Sequence, residues 1–213
     1  MASLGKLNIT QNNLNSNYLA KRTENVAVYD SKVNVGQQAG IFSGNGLNTI
    51  AIGTQAGYSG QSNDSVAIGR EAGETSQGAE AVAIGFRAGE TTQGNQCVAI
   101  GDGAGILNQG NGGTNSVAIG NNAGKTNQRG ASIAIGQQAG ETNQGDNSVA
   151  IGMRAGETNQ HDNSIVLNAT GVALNTDGVS RFFVKPIRGV AHGLGAGVLK
   201  YDTGSGEITY STN

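Results

Sequence analysis

The 213-residue chain has no Trp, one Pro and one Cys, with only four Phe and five Tyr. A globular core built around bulky aromatics is therefore excluded. The single cysteine, Cys97, rules out a disulfide framework within the chain. No stretch approaches the roughly 20 consecutive apolar residues of a membrane span, so membrane insertion is not expected. Residues 1–10 hold no apolar run of the length a secretory signal needs, and the expectation from this is a product of a reducing cytosol or a mature fragment of something longer. Lys plus Arg number 13 against 15 Asp plus Glu, for a net charge of −2, and no basic cluster is dense enough to track phosphates. Nucleic acid is not an expected partner.

What the chain has in quantity is glycine, 36 residues of it, and the glycines keep time with Val and Ile. An aliphatic residue followed by Ala-Ile-Gly recurs seven times, ending at Gly53, Gly69, Gly85, Gly101, Gly120, Gly136 and Gly152. Successive steps are 16 residues, with one of 19 that the stretch Asn111-Gly112-Gly113-Thr114 accounts for. Ala-Gly follows three residues after each of these glycines, as in Ala72-Gly73 and Ala139-Gly140. A Gln stands four further on, at Gln61, Gln77, Gln93, Gln109, Gln128, Gln144 and Gln160. Degenerate copies read Val33-Asn34-Val35-Gly36 before the array and Ile165-Val166-Leu167-Asn168 after it. In the second of these, Asn168 takes the place of the corner glycine, which suggests a left-handed backbone there.

A unit this short cannot close its own core, so each copy is one coil of a solenoid completed by its neighbours. Glycines in phase with aliphatics mark corners rather than flexible linker. The fold expected is all-β: a parallel β-roll or β-solenoid of about eight 16-residue coils, about 40 Å long at one strand spacing per coil. Alternation within Ser65-Val66-Ala67-Ile68-Gly69 sets Val66 and Ile68 on one face and Ala67 on the other. The structural core is assigned to Val66, Ile68, Val82, Ile84, Val98, Ile100, Val117, Ile119, Ile133, Ile135, Val149 and Ile151. The alanines between them, Ala51 through Ala150, then form an outer stripe of small residues suited to close approach by another chain. A homotrimer with its axis along the rod is expected from it. The Gln column reads as a hydrogen-bond ladder. Glu74 with Glu90, and Glu141 with Glu157, fall in successive coils and are expected to be solvated, relieved by Arg70, Arg87 and Arg154.

Three regions follow: 1–32 as an attachment or cap segment, 33–171 as the rod, and 172–213 as a C-terminal cap. Val26-Ala27-Val28-Tyr29 and Val172-Ala173-Leu174-Asn175 read as capping half-coils. A β-hairpin is expected around Thr203-Gly204-Ser205-Gly206.

Catalytic patterns are missing. His161 and His192 are isolated, Cys97 shares a column with Ser65 and Ser116, and the Glu74/Glu90 pair is part of a repeating column rather than a glycosidase dyad. Gly101-Asp102-Gly103-Ala104-Gly105 lacks the strand and helix of a phosphate loop. No cofactor, metal site or enzymatic activity is expected. Nor does one Thr per coil, flanked by Glu and Gln, make the flat array of an ice-binding face.

The repeated Ser-Val-Ala-Ile-Gly, with small residues three and four positions later, resembles the head repeat of trimeric autotransporter adhesins. That resemblance implies a trimeric left-handed parallel β-roll over about residues 34–171. The coil here is longer than that family's, and the chain as given shows neither its export signal nor its outer-membrane anchor. The Ala-Ile-Gly, Ala-Gly and Gln-Gly version is also similar to repeats in fibre-like proteins of large DNA viruses and tailed phages, which assemble in cytoplasm. Arg181 through Arg188, with the hairpin, resembles C-terminal segments of chlorella-virus and mimivirus-type repeat proteins. These likenesses imply a non-enzymatic trimeric fibre or spike on a virion, with a capsid or other virion protein and a host receptor or glycan as partners. The alternative is a cell-surface adhesin head that binds matrix or glycan.

Overall fold

The computed structural model describes residues 32–42, 46–110, 113–186, 198–201 and 208–211. Among these the chain forms a parallel β-solenoid of about nine turns, with no helix. One ten-stranded parallel sheet runs the length of the rod, from Lys32–Val35 through Thr49–Ile52 and the six Val-Ala-Ile or Ile-Ala-Ile strands to Ile165–Asn168 and Phe182–Lys185. Register is in phase throughout the array: Val66 faces Val82, Ala67 faces Ala83 and Ile68 faces Ile84. A narrower second arm stacks the Thr column, with short strands Thr75–Gln77, Thr91–Gln93 and Leu107–Gln109 and single bridges continuing to Thr126, Thr142 and Thr158.

Turning a chain three times in 16 residues needs unusual backbone. In the coil that begins at Ser65, positive φ is adopted by Gly69, Glu71, Gly73, Ser76 and Glu80. The pattern recurs coil after coil, and it aims corner N–H groups along the rod axis. Glu71 N–H donates to Thr54 O at 2.9 Å and Arg87 N–H to Arg70 O at 3.0 Å, so corners as well as strands are hydrogen-bonded to the neighbouring coil. Buried backbone groups are thereby satisfied without a conventional core.

The interior reverses the expectation about which face is buried. Ala51, Ala67, Ala83, Ala99, Ala118, Ala134 and Ala150 are fully buried and point into the coil. They meet the second-arm alanines, Ala56 through Ala155, across it. Val66, Ile68, Val82, Ile84, Val98, Ile100, Val117, Ile119, Ile133 and Val149 are half-buried on the outside, and Ile135 and Ile151 are exposed at 37% and 41%. The reason is space: a coil with three corners encloses room for two Ala, a Ser and one Gln, and interiors are packed to a density that admits nothing larger. The alanine stripe is therefore internal to one chain and is not available to a partner.

Both ends depart from the simple repeat. The sheet does not stop at 171, because Phe182–Lys185 pairs in register with Ile165–Asn168 as a further rung. Ala150, Val166 and Phe183 share one inward column, and their increasing size fills the end of the rod where no further described coil stacks. Leu174 is buried, bridges to Ala155 and accepts from Gly156 N–H, so 172–175 continues the second arm. The backbone of Asn168 is not left-handed, contrary to the expectation. Its buried side chain instead donates to Met153 O and Val172 O and accepts from Thr170. Val198–Tyr201 and Ile208–Ser211 pair antiparallel, while Thr203 to Gly206, and Val26 to Tyr29 at the other end, lie outside the described residues.

Candidate functional site

Inside the coil the glutamine column is structural. Every one of the seven is at most 2% exposed. Each sends Nε2 across the coil to a carbonyl of the main sheet, as Gln77 does to Val66 O at 2.8 Å and Gln144 to Ile133 O at 2.8 Å. Adjacent amides also bond along the axis, Gln77 to Gln93 at 3.1 Å and Gln93 to Gln109 at 3.0 Å. The ladder expected from the sequence is present in part: Gln144 also bonds Gln160, at 3.2 Å, but Oε1 of Gln61, Gln77, Gln128 and Gln144 is buried without a partner, so the column ties the two arms of every coil and links neighbouring coils only from Gln77 to Gln109 and from Gln144 to Gln160. Cys97 is buried in the serine column with Sγ 3.1 Å from Ser116 Oγ, in keeping with a small-residue stand-in.

The seven corner glycines occupy one column at φ between 105° and 131°. At six of them a Cβ would meet the next corner glycine's carbonyl carbon or oxygen at 2.4–2.8 Å, and at Gly152 it would meet Asn168 O.

The outer surface offers three features. The first is the Val/Ile face, two aliphatic side chains per strand, running from the exposed Val33 and Val35 to Phe182 at the other end. Solitary exposed aliphatics are ordinary, but an unbroken sheet face of them marks a surface made for contact.

The second is a charged ridge. Arg87 donates from Nη2 to Glu90 at 3.0 Å, its Nε lies 3.7 Å from Glu71, and Arg70 stacks 4.0 Å over the Phe86 ring while bonding Glu71 at 2.8 Å. Glu71, Glu74 and Glu90 each bring a carboxylate oxygen within 4.8 Å of the others. Arg87 already supplies a cation there, so the arrangement is an ion-pair network. Glu90 and Glu157 have side chains only 15% and 14% accessible, each held down by the arginine three residues before it, which corrects the expectation that these glutamates are solvated. The Glu74 carboxyl is raised above its ordinary range by burial first, then by the charges of Glu90 and Glu71, with Arg87 opposing. A carboxyl raised on folding favours the folded state below its unfolded pKa and loses that advantage as pH rises through the folded value. Replacing Glu74 with Gln is expected to raise the melting temperature at neutral pH, by less than about 1 kcal/mol of stability on so open a site. The gain should vanish near pH 4, and thermal melts of both proteins across pH 3–8 check it.

The third is a polar groove of about 370 Å³ near the C-terminal end, lined by Asn127, Asn143, Asn159, Arg129, His161 and Asp162 among others. Its asparagines form an exposed ladder, each Nδ2 donating to the next Oδ1 at 3.0 Å from Asn108 to Asn159. In the sequence His161 stands as an isolated histidine and Arg129 as one arginine among several. The signal that identifies the groove is their departure from the Gly or Ser that follows the ladder glutamine in the other coils.

A narrow all-β rod of stacked, self-similar coils is a repeat protein of the β-solenoid class. The family described as the YadA head domain repeat matches the chain in two copies, residues 112–123 and 144–155. Each copy takes in a main-sheet strand, its corner glycine and the second-arm alanine. The chain thus carries YadA-type head repeats, and repeat and fold together point to a structural, adhesin-like protein rather than a known enzyme family. No curated protein and no solved structure matches it. Among the described residues no helix is long and apolar enough to cross a membrane.

Proposed function

We propose that the chain is a non-enzymatic adhesin-head module: a rigid rod, displayed at a surface, that assembles as a homotrimer through its Val/Ile face. The observation that carries this is the inside-out distribution of side chains. Alanine and glutamine complete the interior of a single coil, so the larger aliphatics are not needed to fill it and remain only half-buried on its outer face. Three copies set side by side would bury their sheet faces against one another, along an axis parallel to the rod. The head-repeat match supports the adhesin reading ahead of the virion fibre that the sequence alone had favoured. A virion fibre would use the same rod and the same assembly and would differ in what carries it.

Light scattering of the full chain is expected to give three times the chain mass. The double variant Val82→Lys, Ile84→Lys, which plants charges in the middle of the face while leaving Ala83 untouched, is expected to run at the single-chain mass with its β circular dichroism retained. A wild-type chain that stays monomeric at micromolar concentration overturns the proposal.

A further inference from the structure

Two outer columns, on either side of the ladder glutamines, change character toward the C-terminal end of the rod. The residue after each ladder glutamine is Ser62, Gly78, Gly94 and Gly110 in the early coils, then Arg129, Gly145 and His161. The residue before it is Gly60, Ser76 and Thr92, then asparagine in every later coil. The early coils show that the scaffold needs no large side chain at the first of these positions, so Arg129 and His161 are free to serve something else.

Stacking at one strand spacing puts Arg129 and His161 on either side of Gly145, where a Cβ would meet Asp162 N and Oδ1 at 2.5 Å, so the coils close up there and the two long side chains border the groove. His161 is fixed by Thr176, whose Oγ1 lies 2.7 Å from Nδ1, and its Nε2 has no partner among the described residues. Arg129 Nη1 pairs with Asp146 at 3.6 Å and with Asp162 at 3.7 Å, ion pairs longer than hydrogen bonds on a side chain that is half exposed, so its N–H groups can still donate to a ligand. The asparagine ladder uses one N–H and one lone pair of each central amide, and a carboxamide has two of each. Outward from the ladder, donors and acceptors therefore alternate over about 10 Å.

We propose that this groove binds a short, uncharged oligosaccharide. Hydroxyl groups both donate and accept, and so can satisfy the amide N–H groups, the amide oxygens, the guanidinium and the Asp162 carboxylate together. An anion only accepts, and it would face Asp162. A cation would face Arg129. Apart from Val179 at its rim the lining is polar, which disfavours the apolar side chains of a peptide. The volume lies in the range of small-ligand sites.

The inference rests on the surface-adhesin reading and names the ligand class that such a head would take. The test is saturation-transfer NMR on the full chain with maltotriose, cellotriose, chitotriose and N-acetyllactosamine, with sialyllactose and inorganic phosphate as charged arms. At least one neutral saccharide is expected to bind and to shift the His161 ring and the Asn127, Asn143 and Asn159 side-chain amide signals. The variant Arg129→Gly, Asn143→Ser, His161→Gly carries residues found in the same columns of other coils, and is expected to weaken binding about tenfold or more with an unchanged melting curve. Should that variant melt early, the shift map on the wild-type chain decides the location alone. Failure of every neutral saccharide, preference for sialyllactose or phosphate, or shifts confined elsewhere overturns the groove. Light scattering on the same samples reports assembly separately, so a trimer that binds no saccharide sinks this inference and leaves the assembly intact.

Discussion

Replacing Gly85 by Ala is expected to break the rod at its middle, with a loss of about 3 kcal/mol or more in stability. Two causes add. Gly85 holds φ at 131°, a backbone conformation that residues with a side chain rarely adopt. A Cβ there would also sit 2.5 Å from Gly101 O and 2.7 Å from its carbonyl carbon, both part of the next coil's backbone, so no side-chain rotation relieves the clash. In a stacked array each coil is held by its neighbours, and a fault between two of them uncouples the halves on either side. The comparison is Gly60→Asn. Gly60 also has positive φ, at 74°, but a Cβ there would find its nearest atom at 3.4 Å, ordinary contact, and Asn tolerates the left-handed region. That change is expected to cost less than about 1 kcal/mol. Urea or thermal melts of the two variants separate the cases, and equal melting would show that the corner column is not what limits the rod.

Gln93→Leu is the second large loss expected, again about 3 kcal/mol or more. Leucine fills a similar volume, so the cost is polar rather than a matter of cavity. Gln93 donates to Val82 O at 2.9 Å and to Gln109 Oε1 at 3.0 Å, and its Oε1 accepts from Gln77 Nε2 at 3.1 Å. Removing it withdraws the cross-tie of one coil and leaves groups above and below it in a dry interior with partners missing. Gln93→Glu keeps the shape and places a charge in the same space. It is expected to be worse than leucine at neutral pH and to recover in acid as the carboxyl protonates, a reversal that melts at pH 4 and pH 7 detect. Stability of Gln93→Leu equal to wild type would mean that the ladder is incidental to the fold.

The periodicity alone was enough to identify stacked coils, the parallel register and the places where glycine is required, because each of these repeats at a fixed interval that a single chain displays. The glutamine column from Gln61 to Gln160 was legible for the same reason, although only three of its steps are hydrogen-bonded along the axis. Chain ends were less legible. Phe182–Lys185 matches the Val-Ala-Ile-Gly pattern at no position, yet it joins the sheet because an end rung needs only β-formers in register and one bulky residue, Phe183, to close the interior. Asn168 looked like a stand-in for a left-handed glycine, and the structure uses its amide instead. Arg129 and His161 were visible as letters that break a column, but nothing in the linear chain says that both line one groove.

What the sequence determined by itself is therefore the architecture: a strict 16-residue period with glycine corners leaves a polypeptide few ways to fold other than coil upon coil. What only the tertiary structure decided is which side of each strand is the inside. Alternation places Val66 and Ile68 opposite Ala67 but is silent on which of them faces inward. That choice belongs to the width of the closed coil, a distance set jointly by three corners and the Gln77 side chain that spans it. The space left between the arms is small enough that alanine is enclosed and the aliphatic pair is turned outward.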